Sequence, residues 1–420
     1  MPTQSKPLTL PAGPAIAPKG LVADARGGLR LLVAGTRHIT GVVEAMHGQI
    51  QRIAPPLRRR PAAERPLAGD ADGLPRAQGL AGLVYRSIQG TTQWVGDGLD
   101  GLLAPWDAAL AGNQGSPRRD AVVSALNGVL GDHLLRSGNP LAIPLQLRHA
   151  GRLLDPASLG ADAPRRVLLL VHGLCMGEGG WCRNGHDHGA LLGQALGALP
   201  LYLRYNSGRH ISHNGADLAQ ALALLMQQWP VALDELIIVG HSMGGLVARS
   251  AVAQAQAAGL AWPQRLSRLV FLGTPHHGAP LERAGNWLHR VMDISPYVAP
   301  FTRLSRIRSE GITDLRHGNL LARDWQGASR FDHGDLRLPL PLPEGVECFA
   351  IASTAGAPDS AGSVLGDGLV RVDSALGRHK RQAMDLGLDK AHTWVGHGTH
   401  HLDLLCDPAV YRRLLGWLAG

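Results

Sequence analysis

The sequence predicts an α/β protein, a mostly parallel sheet with helices on both faces. Three observations carry that expectation. From about residue 165 onward, short apolar runs alternate with amphipathic stretches at helical spacing. The apolar runs are continuous rather than alternating, as in strands buried on both faces. One of them, LIIVGHSMGGLVARSAV at 236–252, passes from strand to helix across a serine flanked by glycines.

Taken in order, residues 1–28 form a Pro/Gly-rich tail. Ile39, Val42, Val43, Met46, Ile50 and Ile53 then recur at helical spacing. Residues 54–78 have a linker's composition. A second helical stripe, Val84, Ile88, Val95, Leu99, Leu102 and Trp106, falls between about 80 and 108, with small residues that would let another helix approach closely. A third helix is expected over 119–136. The expected organisation is a flexible tail (1–28), a helical N-terminal module (29–160) and the α/β domain (161–420).

Within that domain the pattern gives strands at 166–173, 200–206, 235–241, 267–273, 346–353 and 390–396. Helices are expected at 189–199, 215–229, 244–257 and 408–418, with Pro230 following the second. Residues 275–340 read as a long insertion, placed where a cap or lid would sit. Trp287, Leu288, Val291 and Met292 make an apolar stripe in it, suited either to a lid helix or to packing on the core. No internal repeat is present.

Bulk composition narrows the function classes. The chain of 420 residues is 45% hydrophobic and 18% charged, enough for a large core. Its net charge of +8 is spread along the chain, and the one dense run is Arg58, Arg59 and Arg60. No basic face interleaved with aromatics is seen, so nucleic acid is not an expected partner. Peripheral contact with anionic lipid fits the charge and the amphipathic helices, as does a helical module packed on the core. No run approaches about 18 apolar residues, so no spanning helix is indicated. The first twenty residues lack a basic start followed by an apolar stretch, and a cytoplasmic protein, peripheral at the membrane or free, is expected. Cys175 and Cys182 lie close enough to pair across a loop; four cysteines in so long a chain are more simply free thiols.

Gly240, Ser242 and Gly244 satisfy G-x-S-x-G between a strand and a helix, the context that gives the motif meaning. Small neighbours permit the sharp turn, and the helix start favours developing negative charge. The plain alternative is a turn serine capping a helix. A serine nucleophile needs a base, an orienting acid and an oxyanion hole. Met243, directly after the serine, supplies one backbone N–H. Leu174, after the strand end at His172 and Gly173, is the expected source of the other. The base should follow the last strand, where AHTWVGHGTHHLDLL holds His392, His397, His400 and His401. His392 falls inside the strand pattern. His401, just before the turn into the last helix, is the first choice, with His400 and His397 open. For the acid, Asp367 lies between two glycines; Asp373 starts a helix and Asp359 is an outside candidate.

On VLLLVHGL, LIIVGHSMGGLVARSAV, LVFLGTPHHGAP, GDGLVRVDSALG and HHLDLLCDPAVYRRLLGWL, the chain over about 165–420 resembles the α/β-hydrolases of the lipase/esterase group. The branch it is most similar to includes bacterial triacylglycerol lipases and GPI inositol-deacylase-like proteins. The resemblance implies a triad of Ser242, Asp367 and His401 and an oxyanion hole from Leu174 and Met243. Asp367, Gly368, Leu369 and Val370 meet the family's D-G-[LV]-V pattern. It implies no cofactor. Some relatives hold calcium with paired aspartates, and no such pair is identified here. HDHG at 186–189 and His276–His277 do not offer three ligands, so no metal is expected. The implied activity is hydrolysis of lipid-like acyl esters. A thioesterase or small-ester esterase, and a non-catalytic lipid-binding or scaffold protein, are the alternatives. The oligomeric state is not read from the sequence.

Overall fold

The computed structural model describes residues 26–31, 33, 117–279, 309–327, 337–357 and 366–419. The helical stripes at 39–53 and 80–108, the linker at 54–78, the stripe at 282–294 and Asp359 lie outside these residues. The chain forms two compact units, Met1–Gly115 with Asn139–Leu141, and Ser116–Gly138 with Ala142–Gly420. In the first, residues 26–31 are helical and the Asn139 side chain donates to the Gly27 carbonyl at 3.0 Å.

The second unit holds an eight-stranded sheet. Its strands are β1 (Gln146–His149), β2 (Arg152–Leu153), β3 (Arg166–Val171), β6 (Leu199–Arg204), β7 (Glu235–His241), β8 (Leu266–Leu272), β9 (Glu347–Thr354) and β10 (Thr393–His397). A small hairpin, β4 (Cys182–Arg183) with β5 (His186–Asp187), stands apart. The strand order is β10-β9-β8-β7-β3-β6-β1-β2. All pairs from β10 to β6 are parallel; β1 runs antiparallel to both β6 and β2. This is the α/β-hydrolase fold.

The helices are α1 (Pro117–Arg136), α2 (His188–Leu196), α3 (Ile211–Gln228), α4 (Met243–Ala257), α5 (Glu310–His317), the short α6 (Val372–Ala375) and α7 (Pro408–Leu418). Local sequence sets their ends. Asp187 accepts the Ala190 N–H and caps α2, and Gly197 at φ 63° closes it. Asp407 caps α7, with Pro408 at its first position.

Leu168 and Leu170 of β3, Ile237 and Val239 of β7, Val270 and Leu272 of β8 and Ile351 of β9 face one side, where Leu192 of α2 and Leu414 of α7 cover them. Each such side chain contributes about 1.5–3 kcal/mol by leaving water. On α3 and α4, Leu218, Leu222, Leu246 and Val247 are likewise buried. Gly215 of α3 permits their close approach: a Cβ there would fall 2.3 Å from Ser250 Oγ on α4.

The expected strands and helices of the α/β domain that fall on described residues are present, with ends shifted by a few positions. His392 differs. It sits in a 3-10 turn, Lys390–His392, because Asp389 caps Ala391, and the last strand starts at Thr393. The short polar strands β1 and β2 and the β4–β5 hairpin were not indicated by the pattern. The four cysteines are free. Among the described residues, no helix is long and apolar enough to cross a membrane.

Candidate active site

The site is built where parallel strands end. β7 delivers Ser242 with φ 53° and ψ −123°, and α4 begins at Met243. A non-glycine residue in that region costs of order 1–3 kcal/mol and is held by its surroundings. Here the Ser242 N–H donates to the Leu272 carbonyl at the end of β8, at 2.8 Å. Close approach explains the glycines. A Cβ on Gly244 would lie 2.1 Å from the Val171 carbonyl oxygen, and one on Gly240 would lie 2.5 Å from Gly245 Cα. Gly173 faces the serine itself, since its Cβ would sit 3.1 Å from Ser242 Cβ.

Asp367 occupies a turn between Gly366 at φ 84° and Gly368 at φ 91°. Both carboxylate oxygens are engaged. Oδ1 accepts the Leu369 and Val370 N–H groups, each at 2.9 Å. Oδ2 accepts the Ser353 hydroxyl at 2.7 Å and faces His401 Nδ1 at 2.7 Å. Burial pushes the Asp367 carboxyl up. The neighbouring His401 charge and hydrogen bond, with those from Val370 and Ser353, outweigh burial and hold it at about 2. A carboxylate only accepts, so His401 Nδ1 carries a proton in either ring state, and Nε2 is the nitrogen that can gain or give one.

The structure therefore joins Asp367 to His401, and it brings Gly173 against Ser242. It does not join the alternatives. His397 and His400 are exposed, and the His400 backbone N–H donates to the Asp403 carboxylate at 3.0 Å. Asp373 is exposed in the first turn of α6. Among the described residues the Ser242 hydroxyl makes no hydrogen bond within 3.5 Å; bonds of this kind often tighten only when substrate is bound.

Leu174 and Met243 are both buried. Met243 opens α4, where the first N–H groups have no partner inside the helix. The Leu174 strand end is braced from three sides. The Tyr205 hydroxyl donates to the His172 carbonyl at 2.7 Å, and the Tyr205 and His172 rings stack at 4.3 Å. Next, the Cys175 N–H donates to Ser207 Oγ at 3.1 Å, at a residue with φ 60°. Burial pushes the Cys175 thiol up to about 12, so it stays protonated and inert.

Three residues had no role in the sequence reading. His241, directly before the serine, is buried with Nε2 3.2 Å from the His401 carbonyl and its ring 4.8 Å from the His401 ring. Burial, and then the His401 charge, lower it to about 3, so it is neutral. Ser353 holds the acid. Gly273, at φ 57°, leaves room for the base: its Cβ would meet His401 Cε1 at 2.9 Å.

Among the described residues no three His, Cys, Asp or Glu side chains are grouped to hold a metal. His276 Nδ1 faces the Arg249 guanidinium at 3.2 Å, a partner that repels a cation. His186 and His188 are bonded to each other at 2.7 Å, and His188 also meets the Leu404 carbonyl.

A family model described as a domain of unknown function (DUF7379) matches residues 142–306. No curated protein matches the chain. Among solved structures, the mature form of the Bacillus licheniformis lipase BlEst2 is similar at 20% identity and TM-score 0.42, over 66% of this chain and 98% of that one. An esterase of Pyrobaculum calidifontis is similar at 14% identity and TM-score 0.36, over 73% and 94%. Aspergillus fumigatus lipase B is similar at 12% identity and TM-score 0.37, over 65% and 56%.

Proposed function

We propose that this protein is a serine hydrolase that cleaves carboxylic esters through an acyl-enzyme. The observation that carries the reading is the 2.7 Å pairing of His401 Nδ1 with an ionised, fully engaged Asp367, on the same end of the sheet as a serine in a strained elbow. Ser242 Oγ attacks the ester carbonyl as His401 Nε2 takes its proton. The new C–O bond forms and the carbonyl becomes an oxyanion, which the N–H groups of Leu174 and Met243 receive. On collapse the alcohol leaves with the proton from His401. Water, deprotonated by the same nitrogen, then releases the acid and restores Ser242. Asp367 stays ionised throughout and stabilises the imidazolium.

Lipid-like acyl esters are the favoured substrate class, on the strength of the motif resemblance. The same motifs support the branch of bacterial triacylglycerol lipases and GPI inositol-deacylase-like proteins. A fluorophosphonate probe tests the nucleophile, and p-nitrophenyl esters of short and long acyl chains then test the substrate class. Labelling of the native protein and not of Ser242→Ala is expected, with preference for long chains. Folded native protein that stays unlabelled in detergent and in lipid would overturn the reading.

A further inference from the structure

A ligand-sized cavity is lined by residues outside the proposed triad. It has a volume of about 710 Å³, within the range of about 300–1,000 Å³ that small-molecule sites occupy. Its walls come from the turn after β8, the end of α5 and the segment that continues from the Asp367 turn. The turn after β8 is fastened to that segment, since the His276 N–H donates to the Ser374 carbonyl and the His277 N–H to Ser374 Oγ. The cavity thus opens at the carboxyl ends of the strands, where ligands of open α/β sheets bind.

The lining is cationic. Arg316, Arg371, Arg378 and Lys380 face it, against the carboxylates of Asp373 and Asp385. Asp385 is turned to its own loop, its two oxygens accepting the His379 and Gly387 N–H groups at 3.0 and 2.8 Å. His379 adds a donor of fixed direction. Its Nδ1 accepts the Arg381 N–H at 3.1 Å, so Nε2 carries the hydrogen. The His277 ring lies 4.7 Å away with both nitrogens buried.

We propose that this cavity binds a phosphate group carried by the ester substrate. Three guanidinium forks, an ammonium and an imidazole N–H, four of them from the 371–380 segment and Arg316 from the end of α5, suit a tetrahedral oxyanion with several oxygens to satisfy. Arg371 follows the proposed acid by four positions, and the turn after β8 that walls the cavity begins at Gly273, which packs under His401, so the cavity shares the end of the sheet that carries the proposed acid and base. The inference rests on the hydrolase reading for the word substrate, but not for the phosphate site itself.

The test compares the native protein with a charge-removed variant, Arg371→Gln with Arg378→Gln and Lys380→Gln, and a charge-keeping one, Arg371→Lys with Arg378→Lys and Lys380→Arg. All three positions are exposed, and thermal unfolding checks that each variant folds. Calorimetric titration with inorganic phosphate at about 0.15 M salt reads the site directly. Binding should weaken by about a hundredfold in the charge-removed variant and by less than about tenfold in the charge-keeping one. Two arms then separate the sources. Hydrolysis of soluble dihexanoylphosphatidic acid against dihexanoylglycerol reports a free phosphorylated ester. Sedimentation with phosphatidylglycerol against phosphatidylcholine vesicles reports a lipid headgroup. A phosphate-dependent preference in either arm that disappears in the charge-removed variant supports the proposal. Equal phosphate binding by all three proteins, or no preference in both arms, overturns it. Because phosphate titration does not need Ser242, loss of fluorophosphonate labelling with phosphate binding intact would overturn the hydrolase reading alone.

Discussion

Lowering the pH should unfold this protein through histidines buried in their neutral form. His172, His188 and His241 are all inaccessible to solvent. Burial is the largest cause of lowering in each, taking His172 and His188 to about 4 and His241 to about 3. In the unfolded chain each titrates near the ordinary value of about 6.5. Between these values the unfolded state binds more protons than the folded one, so stability rises with pH. The contribution is fully present above about pH 6.5 and declines as the pH falls toward about 4. At pH 5 these three histidines bind nearly three more protons in the unfolded chain than in the folded one, a slope of about 4 kcal/mol per pH unit, and His276 and His277, lowered by burial in the same way, add to it. Integrated from pH 7.5 to 5, the loss from these three alone is about 6 kcal/mol, comparable with the whole stability of a domain. Urea unfolding followed by tryptophan fluorescence at half-unit pH steps measures the slope. His172→Gln removes one of five such groups and should reduce the slope by about a fifth. A stability flat between pH 7 and 5, or a slope untouched by that substitution, would refute the reasoning.

Three further outcomes concern the site. Asp367→Asn should lower kcat roughly 10³–10⁴-fold with KM little changed. Since Oδ1 is held by two backbone N–H groups, the carboxamide NH₂ must point at His401 and reverse its tautomer; a loss below about tenfold would count against the pairing. His241→Leu removes the contact with the His401 carbonyl and should lower kcat about tenfold at constant KM, and an unchanged kcat would deny His241 a positioning role. Gly244→Ala drives a Cβ into the Val171 carbonyl, and urea unfolding should record about 3 kcal/mol or more of destabilisation, whereas a neutral result would mean that the elbow relaxes freely.

Much of this architecture is legible in the chain because β3, β7 and the LVFL half of β8 are continuous apolar runs buried on both faces. β1 is not, since QLRH is polar and only half-buried, and its place is set by pairing with β6 rather than by its own pattern. Asp367 announces itself through two flanking glycines that the turn requires at positive φ. His401 follows from its place after the last strand. His241, Ser353 and Gly273 are silent in the sequence because their roles arise between strands. Only when β8 lies beside β9, with Leu272 opposite Ile351, does Gly273 come under His401 and Ser353 under Asp367.

β7 is central, with β3 and β8 on its two sides, whereas β10 is the outermost strand at its end of the sheet. The two halves of the proposed proton transfer are thus anchored at unequal depths. His401 stands four residues beyond β10, tethered by the Thr399 N–H to the Thr354 carbonyl at 3.1 Å. A margin strand opens at a lower free energy than an interior one. Warming should therefore detach the base while the serine is still fixed in an intact sheet. Hydrolysis would fade several degrees before the far-ultraviolet signal falls, and it would return on cooling without refolding. Stapling β10 to β9, rather than repacking the interior, is then the direct route to keeping the proposed base in place at higher temperature.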